Sequence, residues 1–341
     1  MISGKSSFCY SLCVDDKGLY VEILIRAPLD DVWRLTQDPQ LHQRWDLRFS
    51  RIEYLPRPNP AAPQRFLYET RIGFGLTVCG TGESVGQRSS VGGDTTSSLR
   101  FASDDPKSLI ETGSGYWKYI PTDDGLRFLT WYDYQVRFGA IGRLIDRLIF
   151  RPVMGWATAW SFDRLRLWAE GKQSPETSLA LSWIHSVARI TIGAVWIWHG
   201  LVPKLLFRNV DERVMLTQAH LSAALLPWIG AGEILFGFIM LIAWRIRSLF
   251  PLNIVLMLLA IVAVAIHSPS YLTAAFNPLT LNLCVISLAV IGWVAARTRF
   301  LPHAPACGSQ AKPDDLHLSA CSRVGLLQTA SGDTATLLTY L

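Results

Sequence analysis

The chain has 341 residues, with 32 Lys and Arg against 27 Asp and Glu for a formal net charge of +5. A charge this modest, spread without a basic run, excludes the electrostatic footprint of a nucleic-acid binder. The mean hydropathy of +0.24 averages a mixed first half with an apolar second half, and the six cysteines include no Cys-x-x-Cys pair, so the thiols read as reduced.

Residues 1–18 read as a loosely ordered extension without the apolar core of a signal peptide, which fits a cytosolic first half. Within it Cys9 and Cys13 have a helical metal-ligand spacing, but no further ligand lies near them. From Leu19 a strand begins in which Leu19, Val21, Ile23 and Ile25 alternate with Tyr20, Glu22 and Arg26, making one face apolar. Pro28 stops it. Asp30 or Asp31 then caps a helix whose buried side opens with Val32, Trp33 and Leu35.

Between Ser50 and Phe138 the pattern becomes short strands split by Gly, Pro, Asn and Asp: FSRIEYLP, QRFLYETRIGFG, LTVCGTGESVG, TTSSLRFASD, SLIETGSGYWKYI and GLRFLTWYDYQVRF. That spacing predicts an antiparallel sheet. The glycines of GTGESVG fall between strands rather than before a helix, so a hairpin accounts for them better than a phosphate loop. The following segment, FGAIGRLIDRLIFRPVMGWATAWSFDRLRLWAEGK, has helical spacing on both sides of Arg151-Pro152, where the missing proline amide predicts a kink. Trp160, Leu165, Leu167 and Trp168 are expected to close over the open face of the sheet.

Alternation places Phe66, Tyr68, Thr70, Ile72 and Phe74 on one face of a strand and Phe128, Thr130, Tyr132, Tyr134, Val136 and Phe138 on one face of the last. The candidate wall of an apolar cavity is therefore Ile23, Tyr68, Ile72, Leu99, Phe101, Tyr132 and Tyr134. Two readings of the tyrosines stand: they orient one polar atom of an apolar ligand, or they are core residues whose hydroxyls the backbone satisfies. Glu69, Arg71 and Asp133 fall outward. His42 and Asp46 are then the only acid/base pair near the cavity mouth; they read as a solvated helix end and loop, and no catalytic residue is assigned.

APLDDVWRLTQDPQLHQRWD with FSRIEYL, and the helix ending SFDRLRLWAE, resemble the SRPBCC or START-like superfamily, in particular its polyketide-cyclase/dehydrase-like branch. The resemblance spans residues 19–170. It implies a helix-grip α+β fold, an antiparallel sheet wrapped on a long carboxy-terminal helix around a cavity for lipids, isoprenoids, polyketides or other hydrophobic molecules. It does not choose between carriers and enzymes.

A polar linker, 171–180, leads to four long apolar runs in residues 181–297: LSWIHSVARITIGAVWIWHGLV, AHLSAALLPWIGAGEILFGFIMLIAW, LFPLNIVLMLLAIVAVAIH and PLTLNLCVISLAVIGWVAA. A helix needs about 20 residues to cross a bilayer, and in lipid its amides must be satisfied internally, so these predict an all-α bundle of four transmembrane helices. Arg164, Arg166, Lys172, Arg245, Arg247, Arg297 and Arg299 flank one side and Lys204, Arg208 and Arg213 the other, which predicts both termini and the first domain in the cytoplasm of a multi-pass cell-membrane protein.

Arg189 and Glu233 lie inside the first two spans at similar expected depth, about 4–5 Å from midplane, and are expected to pair, either as structural glue or as part of a ligand or proton site. At the outer end His199, Lys204, His220, His267, Asn277 and Asn282 form a polar cluster, either residues resting among headgroups or a lid over a pocket suited to the head of a quinone or another amphipathic molecule. WIWHGLVPKLLF, GAGE and FNPLTLNL resemble the DoxX-like family of four-helix membrane proteins. By that resemblance Gly200, Pro203, Lys204, Gly232, Glu233, Asn277, Pro278 and Asn282 occupy motif positions. Cys284 stands alone in the spans, which argues against dithiol redox chemistry. The tail, 303–341, reads as disordered, with His303-x3-Cys307 and His317-x3-Cys321 offering zinc spacing but no fold to support it.

The leading expectation is a membrane-tethered module that binds a hydrophobic small molecule or lipid. The alternatives are a subunit of a quinone-linked membrane oxidoreductase and a non-catalytic assembly subunit, with a homo-oligomer or a redox partner subunit compatible with each. No dinucleotide, haem or iron-sulfur motif is visible, which leaves quinone as the one cofactor considered.

Overall fold

The computed structural model describes residues 18–73, 75–90 and 93–298. The extension with Cys9 and Cys13, Phe74, and the tail with its two His-x3-Cys pairs lie outside the described residues.

Seven antiparallel strands form one sheet, ordered β1-β7-β6-β5-β4-β3-β2. They are β1 Leu19–Ile25, β2 Arg51–Tyr54, β3 Arg65–Gly73, β4 Leu76–Ser89, β5 Thr95–Ala102, β6 Ile110–Thr122 and β7 Gly125–Val136. From β2 onward each strand pairs with its successor, while β1 joins β7 from the other edge. The alternation in β1 and β7 holds: Val21, Ile23 and Ile25 lie opposite Thr130, Phe128 and Leu126, and all six are buried.

Expectations for β3 and β4 are corrected. Gly80, Gly82 and Gly86 lie within the 14-residue strand β4, not in a hairpin. In β3 the register shifts between Arg71 and Gly73, so Ile72 is the unpaired extra residue of a bulge; it is 59% exposed and no wall of the interior.

Between β1 and β2 stand α1, Leu29–Gln37, and α2, Pro39–Trp45. Asp38 separates them: its side chain accepts from the amides of Gln40 and Leu41, and Pro39 starts the next helix without a donor to waste. After β7 come α3, Gly139–Ile145, a π turn at Asp146–Phe150, and α4, Arg151–Ala169. Where the break is expected, the chain passes through this π turn just ahead of Pro152, which has no amide to donate.

Helix α4 lays Phe162 and Leu165 on one end of the sheet, where Val32 and Leu35 of α1 and Trp45 of α2 complete a core with Val21, Ile23, Trp117, Tyr119 and Phe128. Burial of each such side chain contributes about 1.5–3 kcal/mol. Ile23 therefore belongs to a filled core, not to a cavity wall. Leu165 and Leu167 are buried as expected. Trp160 is only partly so, and stacks on Trp156 with ring centroids 6.2 Å apart, because Ala157, Thr158, Ser161 and Phe162 take the inward face.

The second half is helical. Helix α5, Pro175–His199, runs on into a π-helical segment, Gly200–Leu206; then come α6, Val210–Gln218, α7, Leu226–Ile242, α8, Leu249–His267, and α9, Pro278–Thr298. Pro175–Leu206, Ala223–Ile242, Leu249–His267 and Pro278–Ala296 are long and apolar enough to cross a membrane. Ile192, Met240, Phe250, Val285 and Ala289 form their shared core.

Candidate functional site

On the inward face of the sheet, glycines on β4 and β6 alternate with aromatic residues on their neighbours. A Cβ at Gly80, Gly82, Gly113 or Gly115 would run into the side chain of Tyr68, Phe66, Phe101 or Tyr132 respectively. The Tyr68, Phe66 and Phe101 rings therefore lie over bare backbone instead of standing off the sheet. The outcome is a face that α4 covers at one end only. Trp117, Tyr119 and Phe128 are buried at the filled end, whereas Phe66, Tyr68, Leu99 and Phe101 look inward yet stay partly exposed.

A line of polar groups crosses the interior beside that half-covered face. His42 Nε2 stands 3.0 Å from Asp46 Oδ2, and Arg48 grips the same carboxylate with Nε and Nη2 donating at 2.9 and 2.7 Å. Arg48 lies over the Tyr132 ring at 5.5 Å, and the Tyr132 hydroxyl shares a 2.9 Å hydrogen bond with Thr158 of α4. Asp46 is 1% exposed, so the solvated reading of the His42/Asp46 pair is overturned. The physical reason is the break at Asp38-Pro39, which turns α2 inward until the His42 ring packs on Trp45, Phe49 and Trp117 at 4.9–5.2 Å. Arg48 escaped the sequence reading. Its spacing two residues after a carboxylate at a helix end was the available signal.

Burial by itself would raise the Asp46 carboxyl. The charge and hydrogen bonds of Arg48, joined by His42, outweigh that and hold it well below the usual carboxylate range. Burial likewise works against the charge on Arg48, and Asp46 more than restores it. Toward the edge of the same face the Tyr134 hydroxyl donates to Asp146 Oδ1 at 2.7 Å, and Arg151 Nε donates to Asp146 Oδ2 at 3.1 Å. Burial, then the neighbouring carboxylate, pushes the Tyr134 hydroxyl upward. Tyr68, whose hydroxyl donates to the Ala102 carbonyl at 3.4 Å, is pushed up to about 12, chiefly by burial. A groove of about 680 Å³ opens beside Tyr134, lined also by Glu111, Ala140, Leu144, Asp146 and Arg151. Of the predicted wall, Tyr68, Leu99, Phe101, Tyr132 and Tyr134 thus share the inward face away from Ile23, which is packed in the core at its filled end, while Ile72 is exposed at the bulge.

In the bundle the predicted Arg189–Glu233 pair does not form. Gly193 of α5 meets Gly237 of α7 and Gly200 meets Gly230, a register that sets Glu233 opposite Ile197, about 12 Å along the axis from Arg189. The first helical run starts at Pro175 and ends at Leu206, which displaces the depths read from the apolar runs. Arg189 instead donates to the carbonyls of Ala243 and Ile246 at 2.9 and 2.8 Å, in the turn that follows α7. The Trp244 and Phe250 rings flank its guanidinium.

Glu233 pairs with Lys204, Nζ to Oε2 at 3.0 Å, and Lys204 also donates to Glu212 Oε1 at 3.0 Å. Lys204 is buried, held on the π-helical segment that carries Pro203. Glu212 stands in the polar stretch between the first two apolar runs; Asn209, whose side chain accepts from the Asp211 amide, starts a short helix there and brings Glu212 back to Lys204. The outer-end residues are otherwise dispersed. His220 and His267 face each other at 6.4 Å, Asn277 accepts from the Thr280 amide at the start of α9, and His199 and Asn282 are half-buried. Among the described residues no group of three or more His, Cys, Asp or Glu side chains could hold a metal ion.

Comparison with known proteins bears on both halves. Residues 193–290 match the DoxX-like family. The uncharacterized membrane protein YndG of Bacillus subtilis strain 168 is 46% identical over 211 residues, 62% of this chain and 76% of YndG. Among solved structures, TTHA0849 from Thermus thermophilus is 20% identical, covers 46% of this chain and 99% of its own, and has a TM-score of 0.36. A STAR-related lipid transfer protein from Xanthomonas axonopodis is 16% identical over 43% of this chain and 82% of its own, at a TM-score of 0.34. Neither likeness is close enough to speak for a ligand or an activity. At 46% identity over most of YndG, this chain belongs to the same family of membrane proteins, and its second half is a DoxX-like bundle.

Proposed function

We propose that the protein is a membrane-tethered binding module whose helix-grip half holds one hydrophobic molecule with a polar end. The observation that carries this reading is the half-covered sheet face. Phe66, Tyr68, Leu99 and Phe101 are directed inward and remain partly exposed, next to a buried line of His42, Asp46, Arg48, Tyr132 and Thr158. Apolar walls with a few fixed polar groups bind such a ligand by burial and orient it by hydrogen bonding. The inner groups are mutually paired, which suits holding and positioning. No side chain is assigned a chemical step.

The same reading puts the helix-grip half and both chain ends in the cytoplasm. Arg164 and Arg166 are buried within α4 and Lys204 within the bundle. The remaining flanking cations still favour that side, with Lys172, Arg245, Arg247, Arg297 and Arg299 against Arg208 and Arg213.

The test is mass spectrometry of small molecules co-purified with protein extracted in native membrane discs. An apolar species is expected with the wild type and absent from Leu99→Trp, a substitution that fills the half-covered face, while the thermal midpoint is retained. Equal recovery from both proteins would remove the cavity from the account. Protease added to inside-out and right-side-out vesicles checks the orientation.

A further inference from the structure

The outer side of the α3–α4 unit is apolar from Ile141 to Trp160. Ile141, Leu144, Ile145, Leu148, Ile149, Val153, Trp156 and Trp160 recur three or four apart, which is one stripe of a helix about 29 Å long. They are not core residues. Ile141 is 69% exposed, Leu148 66% and Ile149 62%, and among the described residues of α3 and the π turn only Gly142 and Asp146 are buried. Just ahead of the stripe Phe138 takes a left-handed backbone conformation, φ 65°, that costs an aromatic residue about 1–2 kcal/mol and leaves its ring outside the fold.

A soluble domain rarely exposes a contiguous apolar surface of this kind without a surface to place it on. Three observations identify that surface. The chain itself enters a bilayer at α5, which starts only five residues after α4 ends, so lipid lies within reach of this helix. The stripe finishes in stacked Trp156 and Trp160, the side chains that settle at headgroup level. Exposed Arg143 and Arg147 sit beside the aliphatic residues, placed to meet anionic headgroups.

We infer that the α3–α4 unit lies flat on the membrane that the bundle spans, with Ile141, Leu144, Leu148 and Trp156 sunk into the headgroup boundary. The inference does not depend on what the helix-grip half binds. One consequence is geometric: Ala140, Arg143, Leu144 and Arg147 line the groove beside Tyr134, so docking would open that groove toward lipid.

The test uses the full chain, with its six natural cysteines replaced by Ser, reconstituted in vesicles of phosphatidylcholine and phosphatidylglycerol. A fluorophore is placed at Leu148→Cys, or at Leu67→Cys on the outer face of β3 as the reference. The expected result is quenching at position 148 by phospholipids carrying a nitroxide near the headgroup and shielding from aqueous iodide, with the reverse at position 67. Adding Leu144→Asp and Ile149→Asp should release the label at 148 to iodide; these side chains are exposed, so the fold is spared. Iodide access at 148 without lipid quenching overturns the inference. So does shielding from both quenchers with energy transfer between labelled copies, which would assign the stripe to a second copy of the chain.

Discussion

Gly200 and Gly230 meet backbone to backbone across the first two spans: a Cβ on Gly230 would come within 2.8 Å of the Gly200 carbonyl oxygen and 2.9 Å of Lys204 Cβ. Lys204 reaches Glu233 across this contact. Gly200→Ala should therefore cost about 1–3 kcal/mol through overpacking. Gly232 has open space where a Cβ would go, so Gly232→Ala should be neutral or stabilising by up to about 1 kcal/mol, the helical advantage of Ala over Gly. Thermal unfolding in one detergent compares the two, and equal effects would mean that the close approach carries no packing energy.

Lys204 holds two carboxylates in a site that excludes most water. Lys204→Met should destabilise by about 3–5 kcal/mol, since it leaves Glu212 and Glu233 together without a cation. Combining it with Glu233→Gln should recover part of that loss. A double-mutant cycle measures the coupling, and purely additive losses would show that the two side chains are neighbours without an energetic link.

How legible this was depends on the range of the forces involved. Strand alternation placed Tyr68, Leu99, Phe101, Tyr132 and Tyr134 on one face because side-chain direction is fixed residue by residue. The same rule failed at Ile72, where one inserted residue at a bulge flips the phase. The spans were legible from their length alone. The pairing of charges within them was not, since the partners of Arg189 are two carbonyls of the turn between α7 and α8, invisible to a search for opposite charges. His42 and Asp46 read as a solvated helix end and loop, whereas Asp46 is buried, because that burial depends on where α2 turns and not on the residues beside them.

Arg189 uses two nitrogens of its fork on two separate carbonyls, a geometry that lysine cannot reproduce. Arg189→Lys should lose about 1–3 kcal/mol and loosen the turn that carries Arg245 and Arg247. Trypsin cleavage after those arginines in reconstituted protein is the readout, with faster cutting in the variant expected. An unchanged cleavage rate would mean that the turn is held by other contacts.

Asp46 makes an acid-dependent contribution whose sign follows from its depressed value in the folded state. As pH falls, the unfolded chain takes up the proton first, near its ordinary value of about 3.9, so the stability that Asp46 provides is whole above that value and drains away as pH drops through the lower folded one. Asp46→Asn alone would strand a buried Arg48 and cost about 3–5 kcal/mol at neutral pH. The informative variant is Asp46→Asn with Arg48→Met, which removes the charge and its partner together. The thermal midpoint of the helix-grip half, followed from about pH 7 to about pH 3, should fall less steeply in the double variant than in the wild type. Parallel curves would locate the acid sensitivity elsewhere, with the Glu170 carboxyl next in line: its burial opposes ionisation, but Lys172, the Arg26 amide and Arg166 together hold it below its usual range.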